Sequence, residues 1–74
     1  MTITLPDELI SALASIYIDI EERPMGQIRM VVIERTKTDD FEIVDGYGVT
    51  LQEAAWALER NAEDWLRELT EVQP

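Results

Sequence analysis

The sequence predicts an α+β fold in the order helix, antiparallel β-hairpin, helix, with room for a short strand at the N-terminus. An amphipathic helical pattern over residues 50–69 predicts a long C-terminal helix. Pro6 followed by two acidic residues is typical of a helix start near the other end. A run of β-branched residues between them predicts the hairpin. All 74 residues are expected to form one small domain.

The C-terminal helix is the best-defined element. Thr50 is a favourable N-cap, and Glu53 is expected to complete a capping box by accepting a hydrogen bond from the Thr50 amide. A rotation of about 100° per residue places the apolar side chains within about 60° of Leu51. This stripe consists of Leu51, Ala54, Ala55, Leu58, Ala62, Trp65, Leu66 and Leu69. It predicts the surface that the rest of the chain covers.

Trp56 lies outside this stripe, about 140° from Leu51 on the helix surface. Two interpretations are open. In the first, the N-terminal segment folds over the ring, because a small domain uses its large apolar side chains in the core. Alternatively, Trp56 is an exposed anchor for a partner, because tryptophan is enriched at interface hot spots.

The N-terminal third has two interpretations as well. The start at Pro6 and the apolar spacing from Leu9 predict a single helix over residues 6–22. Residues 15–21, however, alternate polar and apolar side chains with the period of two that is typical of a strand. The single helix is favoured because a strand would need a pairing partner. It places Asp19, Glu21 and Glu22 at the negative end of the helix dipole, where Arg23, Arg29 and Arg35 are the candidate neutralising residues.

The hairpin is predicted from a strand at residues 28–36, a turn at 37–40 and a second strand at 41–44. The segment from Asp45 to Gly48 is interpreted as a turn in which both glycines are free to adopt positive φ. Alternation puts one apolar set on each face of the hairpin. The first set is Ile28, Met30, Val32, Phe41 and Ile43, and the second is Val31, Ile33 and Val44. Two helices cover only one face, so a homodimer is expected.

Composition excludes several classes of function. Sixteen acidic and six basic residues give a net charge of −10 and a pI near 4.1, which disfavours nucleic acid and acidic membranes as partners. There is no Cys or His, so disulfides, zinc sites built from thiolates or imidazoles, and catalysis by those groups are excluded. The acidic residues at 39–45 lack the spacing of a calcium loop. No enzyme activity, metal or cofactor is expected.

The chain is expected to act in the cytoplasm, since it has neither a run of ~20 apolar residues nor the pattern of a signal peptide. Its acidic side chains either provide solubility or match a basic protein surface, such as one that normally holds nucleic acid. The candidate partner-binding acids are Asp19, Glu21, Glu22, Asp39, Asp40, Glu42 and Asp45, and the candidate apolar anchors are Tyr47 and Trp56.

Two local patterns resemble known families. Residues 1–14 resemble the opening of ribbon-helix-helix repressors, in which a short strand and a Pro-acid turn lead into the first helix; the strand here has Thr2 and Thr4 in place of basic residues. A second pattern is similar to the strand-to-helix segment of HicB-like antitoxins. It consists of Gly48, Thr50, Leu51, Glu53, Ala54, Leu58, Ala62, Trp65 and Leu66. This resemblance implies an antitoxin-like or regulatory dimer that neutralises a cognate toxin.

In size, acidity and lack of cysteine, the chain resembles the small proteins with which phages block host defence or nucleic-acid enzymes, anti-CRISPR proteins among them. That resemblance implies a non-enzymatic inhibitor that docks on a basic, nucleic-acid-binding protein. The inhibitor is the leading hypothesis, and the antitoxin-like dimer is the alternative.

Overall fold

The computed structural model describes residues 5–13 and 15–72 and has an α+β fold, which confirms the predicted class. Its elements are α1 (Asp7–Ala12), β1 (Ile16–Arg23), β2 (Gln27–Arg35), β3 (Asp40–Gly48) and α2 (Leu51–Val72), with a short 3-10 turn (Pro24–Gly26) between β1 and β2. The strands form one antiparallel sheet in the order β1-β2-β3. The helix-hairpin-helix order is therefore extended by one strand.

Residues 15–21 belong to this additional strand, so the predicted single helix over residues 6–22 is wrong. The chain leaves the helix at Leu13, which is extended at φ −108° and ψ 147°. From there β1 pairs with β2 continuously, from Ile16 opposite Glu34 to Arg23 opposite Gln27. The pairing partner that β1 requires is β2, on the edge that does not pair with β3. The period of two was thus the correct signal in this segment.

The core lies between α2 and one face of the sheet, where α2 packs mainly on β3 and β2. Its buried side chains are Leu9, Met30, Val32, Ala54, Ala55, Leu58 and Ala62. The predicted stripe is longer than the buried one, because Leu51 and Leu69, near the two ends of α2, are both 43% exposed. Ile20 lies on β1 and is 49% exposed.

Gly46 and Gly48 do not form the predicted turn, since β3 continues through both of them. Neither has a positive φ. Their function is close packing: a Cβ atom on Gly46 would lie 2.7 Å from the carbonyl oxygen of Ala54, and one on Gly48 would lie 2.5 Å from Cβ of Glu53. The missing side chains allow the backbone of α2 to approach β3 directly.

The start of α2 has the predicted N-cap with one change of partner. Thr50 Oγ1 accepts a hydrogen bond of 3.1 Å from the Glu53 amide. Glu53 Oε2 accepts one of 2.9 Å from the amide of Val49 instead of from that of Thr50. Two amide donors at the helix start are satisfied in this way, and the reversal of the chain between β3 and α2 is fixed.

A β-bulge changes the predicted assignment of faces in β3. Val32 pairs with Val44, whereas the next residue, Ile33, pairs with Glu42, so Ile43 is the extra residue. Val44 consequently lies on the helix-covered face with Val32, and its predicted place beside Ile33 is wrong. After the bulge, Asp45 and Tyr47 point to the other face.

Candidate protein-binding surface

The sheet face opposite α2 gathers most of the predicted partner-binding residues. Side chains directly opposite each other in a sheet point to the same side, so the register defines the members of this face. They are Tyr17, Asp19, Glu21 and Arg23 of β1, Gln27, Arg29, Val31, Ile33 and Arg35 of β2, and Asp40, Glu42, Asp45 and Tyr47 of β3. We name this surface the open face.

Arg29, on the central strand, is bound by acids from both neighbouring strands. Its Nε donates to Asp45 Oδ2 at 2.9 Å, and its Nη2 donates to Glu42 Oε1 at 3.0 Å. Its Nη1 donates to the carboxylate of Glu21 on β1. Only 9% of Arg29 is exposed. Arg29, Glu21, Glu42 and Asp45 are called the Arg29 cluster below.

These contacts lie beside apolar residues that are buried on a face that no described helix covers. Val31 is 0% exposed and Ile33 is 8% exposed, although both belong to the open face. Asp45 lies opposite Val31 and Glu42 lies opposite Ile33, so the hydrogen bonds from Arg29 to these two acids join side chains on either side of the apolar residues. The expected dimer was based on an uncovered apolar face; that face is covered within the chain, and the dimer stays a prediction.

The electrostatics of the Arg29 cluster are dominated by the carboxylates. The hydrogen bond to Glu42 raises the pKa of the Arg29 guanidinium above its usual range, and those to Asp45 and Glu21 add to this, whereas burial acts in the opposite direction. Arg29 therefore stays charged at any working pH. Three carboxylates surround this single cation, so the cluster as a whole is acidic.

A second group lies at the other end of the open face. The Tyr17 hydroxyl donates to Asp40 Oδ2 at 3.3 Å, and Arg35 Nε lies 3.6 Å from Asp40 Oδ1. The Arg35 guanidinium lies over the Tyr17 ring, 4.7 Å from its centroid, in a cation–π contact. Tyr17 was not among the predicted residues. Its alternation with Asp19 in a strand was the signal that would have identified it.

The structure divides the predicted residues between different surfaces. Those on the open face are Asp19, Glu21, Asp40, Glu42, Asp45 and Tyr47. Glu22 lies opposite Ile28 and so points to the helix side of the sheet. Asp39 lies in the turn before β3, where its carbonyl accepts a hydrogen bond from the Thr36 amide. Trp56 is 59% exposed on the outer side of α2, away from the open face.

The centre of the open face offers little for a bound ion or small molecule. Within residues 5–13 and 15–72, no group of three or more acidic, His or Cys side chains is placed to hold a metal ion. A depression beside the bulge has a volume of about 170 Å³ and is lined by Arg29, Val31, Glu42, Ile43, Val44 and Asp45. It is smaller than typical ligand pockets of ~300–1,000 Å³, and Arg29 is already held by three acids. Two other depressions, of about 370 and 390 Å³, lie between β3 and α2 and beside the 3-10 turn.

No helix in the described part of the chain has the length and hydrophobicity needed to cross a membrane. No family model matches the sequence, and searches of curated proteins and of solved structures also find no match. The function is therefore inferred from the geometry of the open face.

We expect Arg29→Met to destabilise the domain by about 1–3 kcal/mol, because it leaves three carboxylates facing one another while their partial exposure reduces the cost. Raising the salt concentration should recover part of this loss by screening the repulsion. Urea unfolding at low and high salt measures both effects. An Arg29→Met protein whose loss of stability is the same at both salt concentrations would indicate that Arg29 acts by packing alone.

Proposed function

We propose that the protein is a non-enzymatic binding module, acting as an inhibitor, that docks its open face on a basic protein surface of the kind that normally holds nucleic acid. One observation carries the proposal: five carboxylates from the two outer strands, β1 and β3, lie together on a sheet face that no described helix covers. These are Asp19, Glu21, Asp40, Glu42 and Asp45.

The charges and aromatic rings of the open face support this function. Its five acids outnumber its three arginines, and each arginine is already within reach of an acid of the same face: Arg23 of Glu21, Arg29 of its cluster, and Arg35 of Asp40. The net charge of −10 extends the attraction beyond the contact itself and accelerates encounter with a basic partner. Tyr17 and Tyr47, 37% and 42% exposed, supply apolar contact area of the kind enriched at interfaces.

Capture from a lysate of the source organism, followed by binding measurements on the recovered partner, tests the proposal. Affinity is expected to fall as salt rises, since the screening length shrinks from ~10 Å at 0.1 M to ~3 Å at 1 M. A partner with an acidic or neutral contact surface, or an affinity indifferent to salt, would contradict an acidic docking face.

A matched pair of variants separates the position of the charge from its amount. Asp19→Asn/Asp40→Asn removes two exposed acids from the open face, whereas Glu63→Gln/Glu68→Gln removes two exposed acids from α2. The first variant is expected to slow association about tenfold and the second much less, because steering depends on charges near the contact. Both should melt close to the wild type, because these side chains are exposed and the contacts of Asp40 with Tyr17 and Arg35 are exposed ones that contribute little to stability. Equal slowing by the two variants would mean that the association rate depends on the net charge of the protein and not on the position of the acids.

A further inference from the structure

The two edges of the sheet have different hydrogen-bonding capacity, and the difference follows from one contact. The carbonyl of Ser15 accepts a hydrogen bond of 2.8 Å from the amide of Arg35, directly opposite. In an antiparallel pair such hydrogen-bonded positions alternate with positions whose N–H and C=O point away. The backbone groups that β1 directs to its outer edge are therefore those of Ile16, Ile18, Ile20 and Glu22.

The opposite edge, on β3, is obstructed. The same alternation points the carbonyl of Asp45 outward, and there Asn61 Nδ2 of α2 donates to it at 2.7 Å. The bulge at Ile43 also interrupts the regular spacing of the edge groups. Bulges and covering elements are common ways of preventing an edge strand from pairing with another chain.

The edge of β1 has none of these protections. Its eight residues pair with β2 without a register shift and include no Pro, Gly or Lys. No element within residues 5–13 and 15–72 pairs with its outer side. A long, regular and unpaired edge of this kind is a template for one more strand.

The side chains of β1 define the chemistry of such a strand. Asp19 and Glu21 point to the open face, whereas Ile18 and Ile20 point to the opposite face. Ile20 is 49% exposed. A strand lying beside β1 would place alternate side chains next to these two pairs, because side chains of adjacent strands share the same faces.

We propose that β1 binds an extended segment of the partner as a fourth strand, and that this segment alternates Lys or Arg with apolar residues. The basic side chains would lie beside Asp19 and Glu21, and the apolar ones beside Ile18 and Ile20. This inference rests on the proposed docking of the open face and assigns it a binding mode.

Charge favours a basic partner over the other candidates for this edge. A second copy would bring another net charge of −10 beside the first, with the same acids along its own β1. Residues 1–4 contain no Lys or Arg, so they cannot supply the complementary side chains.

Amide hydrogen exchange followed by NMR tests the proposal on the intact protein. The free protein should show fast exchange at Ile18 and Ile20 and slow exchange at Tyr17 and Asp19. The probe is an eight-residue peptide that alternates Arg and Val, and its control has the same composition with the four arginines in one block. Only the alternating peptide is expected to slow exchange at Ile18 and Ile20, by about tenfold or more when the site is nearly saturated.

A pair of variants isolates the contribution of the β1 backbone to peptide binding. Ile20→Pro removes an outward-pointing donor without removing a hydrogen bond to β2, a position where edge strands tolerate proline. Ile20→Ala removes the side chain and keeps the donor. Ile20→Pro is expected to bind the alternating peptide about five- to tenfold more weakly than Ile20→Ala does, which is the loss expected for one hydrogen bond.

The remaining outcomes would overturn the inference in distinguishable ways. Peptide binding that depends on Asp19 and Asp40 but leaves Ile18 and Ile20 unprotected would reject the added strand and keep the acidic docking face. Protection of Ile18 and Ile20 in the free protein would show that residues 1–4 or, if it depends on concentration, a second copy occupies the edge. Failure to bind either peptide or any basic protein would reject the proposed function together with the inference.

Discussion

Replacing Gly46 with alanine is expected to prevent α2 from packing on β3 and to unfold the domain. The new Cβ would lie 2.7 Å from the carbonyl oxygen of Ala54 and 2.7 Å from the carbonyl carbon of Ala57, both of which are backbone atoms of α2. A flexible side chain can rotate away from a clash, whereas a helix backbone must move as a unit. Relief therefore requires α2 to shift, which also separates Leu58 from the sheet. Overpacking costs ~1–3 kcal/mol and sometimes more. In a domain of this size, the hydrophobic core rarely contributes more than ~3–5 kcal/mol to the net stability.

Gly26 provides the matched control for Gly46. It lies in the turn between β1 and β2 at φ 74°, and a Cβ there would have no atom within 4 Å. Gly26→Ala should cost only ~1–2 kcal/mol, the penalty for an L-residue in the left-handed region. Circular dichroism and thermal melting of the two variants make the comparison. If Gly46→Ala melts at the wild-type temperature, the close approach of α2 to β3 is not required.

Leu58→Ala is expected to lower the free energy of unfolding by ~2–5 kcal/mol. Leu58 is 0% exposed and is among the largest fully buried side chains, in the cluster that joins α2 to Met30 and Val32. Truncation loses its transfer free energy and leaves a cavity that the surrounding strands cannot fill. For a domain this small, the loss approaches the whole stability.

The control for Leu58 is Leu69→Ala, on the same side of the helix but 43% exposed. Its loss should stay below ~1 kcal/mol, because little apolar surface is uncovered. Urea unfolding gives the free energy of each variant, provided that the transition is two-state. Equal losses at the two positions would contradict the placement of the core under the central turns of α2.

Local signals in the sequence were sufficient for α2. The Thr50 cap and the apolar stripe act within the helix itself, and the structure begins α2 at Leu51 as they predict. The strand β1 was harder because its stability depends on a partner. The alternation around Ile18 was visible in the sequence, but it competed with a good helix start at Pro6, and only pairing with β2 decides between them.

The open face could be predicted only in part, because it depends on a strand whose local signal competed with that of a helix and on a bulge that has no local signal. The acids of β1 join those of β3 only when residues 16–23 form a strand, and Asp45 joins them only because the bulge at Ile43 shifts the register. Gly46 and Gly48 were misread for a similar reason, since a glycine in a turn and a glycine beneath a helix look the same in sequence. Arg29 was recognised as a candidate partner of Glu21, but its contacts with Glu42 and Asp45 require the completed sheet.

The order of the elements has a consequence for the rate of folding. Each strand pairs with its neighbour along the chain, and α2 packs mainly on the strand immediately before it. Only short connections are closed before these contacts form, so the loss of chain entropy along the folding pathway is small at each step. Domains built from such sequence-local contacts fold quickly. We therefore expect each excursion of this domain to the unfolded state to be brief.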